Sequence, residues 1–467
     1  MNTAPRSTGL LVSFTVSLLT PFHAVAEPEL WLTDPAGSAR FEKQADGPTF
    51  EGRVASSSEI FVDPDTTYQT IDGFGYTLTG GSAMHIAKMS DGRRTTLLNE
   101  LFATDGKNIG VSYLRLSIGA SDLSDKVFSY DDIAPGLTDF EMKYFDLGPD
   151  RDNVIPVLRQ ILKIVPDIKI MGSPWSPPTW MKTNASSIGG SLKLGCYDAY
   201  AKYFVRYIQE MAKEGIRIDA ITVQNEPLHP GNNPSLLMRA AEQAAFIKNH
   251  LGPAFQEARI ETKIVVYDHN CDRPDYPMTI LQDPEARKYV DGSAFHLYGG
   301  KISAMSTVHE AHPDKNLYFT EQWIGAPGNL QGDLGWHIRE LIVGATRNWS
   351  RTVLEWNLAA DPNHQPHTPG GCTRCLGAIT IDGDKVTRNP AYYIIAHASK
   401  TVRPGSVRIA STLVEGLPNV AFKTPDNRMA LIVLNDRSSP RAFQIRVEDK
   451  VASARLPARA VGTYVWP

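Results

Sequence analysis

Between about Gln69 and Ala398 the chain alternates short β-like runs with amphipathic helical stretches, eight times over. The extended runs are "QTIDGFG", "VSYLRLSIG", "IKIMGSPW", "IDAITVQNE", "KIVVYDHN", "GSAFHLYG", "NLYFTEQW" and "RTVLEWNL". Between them the hydrophobic period changes. In "DAYAKYFVRYIQEMAKEG" the residues Tyr200, Tyr203, Phe204, Tyr207, Ile208 and Met211 recur at helical spacing, and Gly215 ends the run. "PSLLMRAAEQAAFIKNHLG" reads as a second helix of this kind, stopped at Gly252. Eight strand–helix units predict an α/β chain whose residues 69–402 form a (β/α)8 TIM barrel. A doubly wound open sheet would carry a glycine-rich phosphate fingerprint after its first strand, and none is present here.

The flanks have a different texture. Residues 27–68 and 403–467 lack long helical patterns. "SVRIAST", "NVAFKT", "RMALIVLND", "AFQIRVE" and "GTYVWP" are short alternating runs broken by Pro, Gly, Asn and Asp. They predict an appended β-sandwich formed from N- and C-terminal segments. Residues 1–26 read as a signal peptide: Arg6, the apolar core "GLLVSFTVSLLTPF", and Ala24 and Ala26 at a small-x-small cleavage site. Cleavage after Ala26 and export to periplasm or medium are expected, with an uncleaved anchor as the alternative. The apolar run is short for a bilayer span, so stable membrane insertion is not expected. A net charge of −4 with 21% charged residues gives no electrostatic argument for nucleic acid or an anionic surface. Of the four cysteines, Cys372 and Cys375 form a CxxC pair that could close a loop, act in redox chemistry or bind metal. Cys196 and Cys271 read as buried thiols. The oligomeric state is not encoded in any of these features.

Function in such a barrel sits at the C-terminal strand ends. Read in order, these carry Arg115, Trp175, Asn225-Glu226, Asp268-His269-Asn270, His296 with Tyr298, Glu321-Gln322-Trp323 and Glu355-Trp356-Asn357. There is no Ser-His-Asp order, no partnered Cys nucleophile, no HExxH and no run of metal ligands at fixed spacing. Indoles, amides and acids together suit a sugar, whose C–H face stacks on aromatic rings and whose hydroxyls take polar groups. Glu226 closes the fourth strand and Glu321 the seventh. Opposed across the mouth, they would stand roughly 5–5.5 Å apart and act with net retention. Glu355 competes for the nucleophile's place or supports Arg115, which itself would orient and charge-stabilise a carboxylate. A non-catalytic carbohydrate-binding barrel needs neither Glu226 nor Glu321. A metal-dependent hydrolase would instead use Asp268, His269 and His296.

"QTIDGFGYTLTGGSA", "YLRLSIGASDLS", "MGSPWSPPTWMKTN", "TVQNEPLHP", "AFHLYGG", "YFTEQW" and "VLEWNL" resemble glycoside hydrolase family 30, the glucosylceramidase-like enzymes. The resemblance implies a barrel fused to a sandwich, Glu226 as acid/base and Glu321 as nucleophile. It places Arg115, Trp175, Asn225, His296, Tyr298 and Trp356 around the reacting sugar. Gly80 stands where the animal members carry an Asp that binds distal hydroxyls of the terminal glucose. The expected activity is that of a retaining, exo-acting β-glucosidase of glucosylceramidase type on a β-glucoside or β-glucan, with no metal and no organic cofactor. A β-1,6-glucanase or a β-xylosidase with the same mechanism is the alternative.

Overall fold

A computed structural model describes residues 1–4, 28–45, 47–51 and 58–467. Apart from its first four residues, the expected signal peptide lies outside the described residues. Eight parallel strands close into a barrel: β1 (Gly73–Leu78), β2 (Tyr113–Ile118), β3 (Lys169–Pro174), β4 (Ala220–Thr222), β5 (Lys263–Cys271), β6 (Val290–Gly300), β7 (Asn316–Glu321) and β8 (Ser350–Asn357). Strand β8 pairs back onto β1 and completes the ring. Each strand overlaps one of the eight runs read from the sequence; the first, Gly73–Leu78, begins late in "QTIDGFG" and runs three residues past it. Strand β4 is the shortest, yet "IDAITVQNE" stays extended beyond it. Asn225 N–H donates to the Pro174 carbonyl at 2.8 Å, and Glu226 N–H to the Asp268 carbonyl at 3.0 Å. The chain past β4 is thus still tied to both neighbouring strands.

The barrel interior is filled by side chains. Tyr113, Met171, Ala220, Val265, Ala294, Tyr318 and Leu354 form one buried layer. Two residues further along six of these strands stand Arg115, Ser173, Thr222, His296, Thr320 and Trp356. Strand period two keeps them on the same inner face, one layer nearer the C-terminal mouth. The core therefore turns from apolar to polar within a single repeat. The opposite end is tied by ion pairs: Lys169–Asp219 at 3.3 Å, Lys263–Asp291 at 3.2 Å and Arg351–Asp72 at 2.8 Å.

The helix Tyr197–Lys213 buries the six predicted residues, and Gly215 follows it at φ 79°. The second predicted helix differs from its sequence reading. It begins at Ala240, not at Pro234, and it runs through Gly252 to Glu257. Residues 235–238 spend their backbone donors on the barrel mouth instead: Ser235 N–H on Ser187, Leu237 N–H on Gly190 and Met238 N–H on Pro227. Gly252 is a packing glycine and not a stop, because a Cβ there would lie 2.3 Å from the Tyr289 ring.

Among the described residues the second sheet has ten strands, drawn from both chain ends. Glu29–Thr33 pairs with the chain's last strand, Val461–Trp466. Glu59–Thr70 runs between Val407–Ser411 and Arg441–Val447. Ile60, Val62, Leu431, Phe443, Ile445 and Tyr464 share its own apolar core. Barrel and sandwich are joined at His397, whose ring nitrogens meet Thr463 Oγ1 at 2.9 Å and Thr33 Oγ1 at 2.8 Å. Among the described residues no helix is long and apolar enough to cross a membrane.

Candidate active site

Glu226 stands just past β4 with φ 44°, a left-handed conformation that costs a non-glycine residue roughly 1–3 kcal/mol. Its N–H bond to Asp268 and its carbonyl bond from His229 N–H, at 2.9 Å, hold that turn. The turn aims the carboxylate inward, where Glu226 Oε1 lies 3.1 Å from His296 Nδ1. Glu321 ends β7. Arg115 Nη1 donates to its Oε2 at 2.6 Å, and the Tyr298 hydroxyl to its Oε1 at 3.0 Å. One oxygen from each glutamate and a His296 nitrogen all lie within 4.8 Å of one another. The fourth and seventh strands bring their carboxylates together, as their positions on the ring suggest.

Burial pushes both carboxyls up. At Glu321 it prevails over the charges of His296 and Arg115, leaving that carboxyl above its ordinary value. At Glu226 the hydrogen bond and charge of His296 prevail, leaving it below. His296 is pushed up to about 9 despite its burial, by the Glu321 charge and by its bonds to Asp268 and Glu226. Carboxyls this close titrate as a pair.

Asp268 organises the layer beneath. It and Tyr267 have φ 65° and 74°, and the β5–β6 register slips between Tyr267 and His269. Such a bulge re-aims one side chain, here into the barrel. Five groups reach that carboxylate: Arg115 at 2.8 Å, Ser173 and Thr222 at 2.7 Å, Thr320 at 2.6 Å and His296 Nε2 at 3.0 Å. Despite full burial, the Arg115 charge and the His296 bond hold it well below the usual carboxylate range.

The residues expected around the sugar divide into two groups. Arg115 and His296 are fully buried, so they support the glutamates and do not present a surface to substrate. Asn225 Oδ1 accepts from Arg115 Nη2 at 2.6 Å, which leaves its amide N–H groups as what it can offer a sugar. Tyr298 is 39% exposed, with its hydroxyl on Glu321. Trp175 and Trp356 do not form the open aromatic platform expected of them. They are 1% and 4% exposed, stack on each other at 5.3 Å, and cover the Arg115 guanidinium. Glu355 neither competes with Glu321 nor supports Arg115; its Oε1 lies 2.7 Å from His337 Nδ1. Asp268 and His296 bond to each other and do not converge with His269 on an open ligand position. Among the described residues, the cluster that could face a cation is Glu226–His296–Glu321. Arg115 and a protonated His296 already supply positive charge there, so the donor set fits a metal poorly.

Two functional features were not read from the sequence. Asp122, in the loop after β2, is a buried carboxyl raised to about 7 by burial and by the charges of Glu321 and Glu226. Its only sequence signal is an acid seven positions beyond Arg115, just outside a strand end. The second feature is the setting of Cys372 and Cys375. They form a disulfide, while Cys196 and Cys271 are buried free thiols. The bridge packs against Trp175 and Trp356.

The glycosyl hydrolase family 30 TIM-barrel domain matches residues 71–402, and the family's β-sandwich domain matches residues 405–464. An endo-1,6-β-D-glucanase of Neurospora crassa is 33% identical over 96% of this chain and 98% of its own length. An endo-β1,6-glucanase of known structure is 34% identical, covers 94% of this chain and 99% of its own, and superposes with a TM-score of 0.87. The lysosomal acid glucosylceramidase of Mus musculus is 30% identical over 89% of this chain and 84% of its own. Barrel and sandwich thus have one common source: the chain belongs to glycosyl hydrolase family 30 and is a glycoside hydrolase.

Proposed function

We propose that this chain is a retaining β-glucanase that cleaves internal β-1,6-glucosidic bonds, with Glu321 as nucleophile and Glu226 as acid/base. The observation that carries the mechanism is the approach of one oxygen of each carboxylate to within 4.8 Å, too close to seat both the sugar and an attacking water between acid and base, as inversion requires. Without substrate the pair leans the other way, Glu321 above and Glu226 below its ordinary value. The reaction needs the charge on Glu321 and the proton on Glu226, and we assign that arrangement of the coupled pair to the sugar-bound site. Glu321 has two dedicated donors, Arg115 and Tyr298, whereas Glu226 has His296 alone. Glu321 attacks the anomeric carbon as Glu226 protonates the leaving oxygen. Glu226, now a carboxylate, takes a proton from the water that releases the sugar from Glu321. The linkage rests on the likeness to the endo-1,6-β-D-glucanases, which spans nearly both full lengths. A polymer of this kind is met outside the cell membrane, in keeping with the exported leader read from residues 1–26.

A second reading is the exo-acting β-glucosidase of glucosylceramidase type, favoured by the mouse relative. Against it stands Gly80. It opens the helix Gly80–Lys88 without the acid of the animal enzymes, and a Cβ there would already lie 3.2 Å from Ser124 Oγ. A panel of pustulan, gentiobiose, glucosylceramide and nitrophenyl xyloside separates the readings. Early products from pustulan are expected to be oligosaccharides of mixed length. Glucose released one unit at a time, or faster turnover of glucosylceramide or xyloside, would replace this reading with one of its rivals.

A further inference from the structure

The disulfide Cys372–Cys375 closes a loop separated by only three positions. A loop that short removes little freedom from the unfolded chain, so global stability is a poor reason for the bridge. Its surroundings suggest a local one. The segment from Thr368 to Leu376 is fastened to four separate walls of the barrel mouth. Thr368 N–H donates to the Asp122 carbonyl at 2.9 Å, and Thr368 Oγ1 to the Asn233 carbonyl at 2.5 Å. Cys375 and Leu376 pair with Gly325 and Ile324, directly downstream of Glu321. Asn357 Nδ2 reaches the Cys375 carbonyl at 3.5 Å, at the end of β8.

Inside this strap the bridge has two faces of contact. On one, Cys372 N–H donates to Asp122 Oδ2 at 3.2 Å. On the other, Cys375 and Cys372 belong to an apolar cluster with Leu123, Trp175, Trp356 and Trp323. That indole pair covers the guanidinium of Arg115, which is bonded to Glu321. Gly371 shows how close the fit is, since a Cβ there would lie 2.5 Å from the Asp122 carbonyl oxygen.

We infer that the Cys372–Cys375 bridge is a positioning device for the reacting site: it fixes the Asp122 carboxylate through Cys372 N–H and seats the Trp175–Trp356 pair over Arg115. The bridge acts through these residues and touches no reacting atom. The inference rests on the assignment of the reacting site to Glu226 and Glu321, but not on the β-1,6 linkage.

Three variants and one reagent test it. In the double variant Cys372→Ser, Cys375→Ser, kcat/KM on a dinitrophenyl glucoside and on pustulan is expected to fall about ten- to a hundred-fold, as for a small misplacement of a site. The unfolding midpoint should move by only a few degrees. With the bridge gone, the main-chain N–H at position 372 is no longer held on Asp122, which should move the Asp122 ionisation upward, seen as a shift of the neutral-range inflection of log kcat/KM against pH. Gly371→Ala keeps the bridge but pushes the strap off Asp122, and should reproduce the kinetic loss. In the wild type, dithiothreitol exchanges its two thiols for the bridge, leaving two protein thiols and the reagent's cyclic disulfide. Tryptophan emission should rise as the quenching disulfide leaves the indoles, activity should fall, and both should return on reoxidation. Kinetics within two-fold of wild type with an unmoved pH profile would overturn the inference. So would a loss of activity that merely tracks a large drop in unfolding midpoint. Glu321→Gly serves as the control: if it remains active, the site assignment fails; if it is inactive while the serine variant is normal, only the bridge's role fails.

Discussion

At the scale of single residues, the site is a chain of charges in which each group is held by the next. Arg115 meets Asp268 and Glu321, and His296 spans Asp268 and Glu226. Removing one member of such a buried set leaves the others uncompensated, which costs about 3–5 kcal/mol. Asp268→Asn should therefore lose about that much stability in urea unfolding, and at least a hundred-fold in kcat/KM even with an activated leaving group. Undiminished stability would show that the five donors contribute little. Glu226→Ala should spare a dinitrophenyl glucoside, whose leaving oxygen needs no proton, and lose about 10²–10⁴-fold on gentiobiose. The alkaline limb of its pH profile should vanish, because a general acid fails as pH rises and this variant has none. Equal losses on both substrates would remove Glu226 from the acid role. The two glutamates were legible because each ends a β-like run in a company of amides and indoles. Asp268 was read only as a strand-end acid and as a candidate ligand of the rival metal-dependent hydrolase, since its weight comes from Arg115, Ser173, Thr222, His296 and Thr320 on five other strands.

At the scale of elements, the strand ends are irregular where the chemistry is. Register slips occur beside Asp268, between Phe295 and His296, and between Glu355 and Asn357. Beside Asp268 the slip re-aims a side chain that a regular ladder would point out of the barrel. The eight strands themselves were legible from period and punctuation, but a bulge has no signature in a single sequence. The same holds for the delayed helix at Ala240, whose upstream residues are claimed by loops from other strands. His397 marks the joint between the last barrel helix, Pro390–Ser399, and the strands of both chain ends. Burial depresses its ring to about 3. The unfolded chain takes up a proton near pH 6.5 that the folded chain refuses. The stability from His397 is thus full above pH 6.5 and is lost as pH falls towards 3. Between pH 7 and pH 4.5 the stability difference between wild type and His397→Asn should narrow by about 3 kcal/mol in urea titrations. A constant difference would mean the ring protonates in place.

At the scale of the whole molecule, the two regions are one packing unit. Trp31, Phe41, Phe422, Ile432 and Val465 of the sandwich belong to the same buried cluster as Ile71, Phe102 and Ile395 of the barrel. The protein should show a single calorimetric transition. Truncation after residue 402 should aggregate, because Glu29–Thr33 would lose Val461–Trp466 and bare Trp31. Two resolved transitions, or a soluble monomeric barrel on size exclusion, would refute this. The sequence by itself determined the eightfold alternation, the β-rich ends and the pair of glutamates, because local period, breakers and strand-end chemistry are properties of neighbours along the chain. Only the tertiary structure decided that Trp175 and Trp356 lie buried on Arg115, that His296 supports a carboxylate, and that a three-residue disulfide grips Asp122. Those facts are set by which side chains the closed barrel brings within a few ångströms, and residues from five or more separate strands meet there at distances that no sequence spacing encodes.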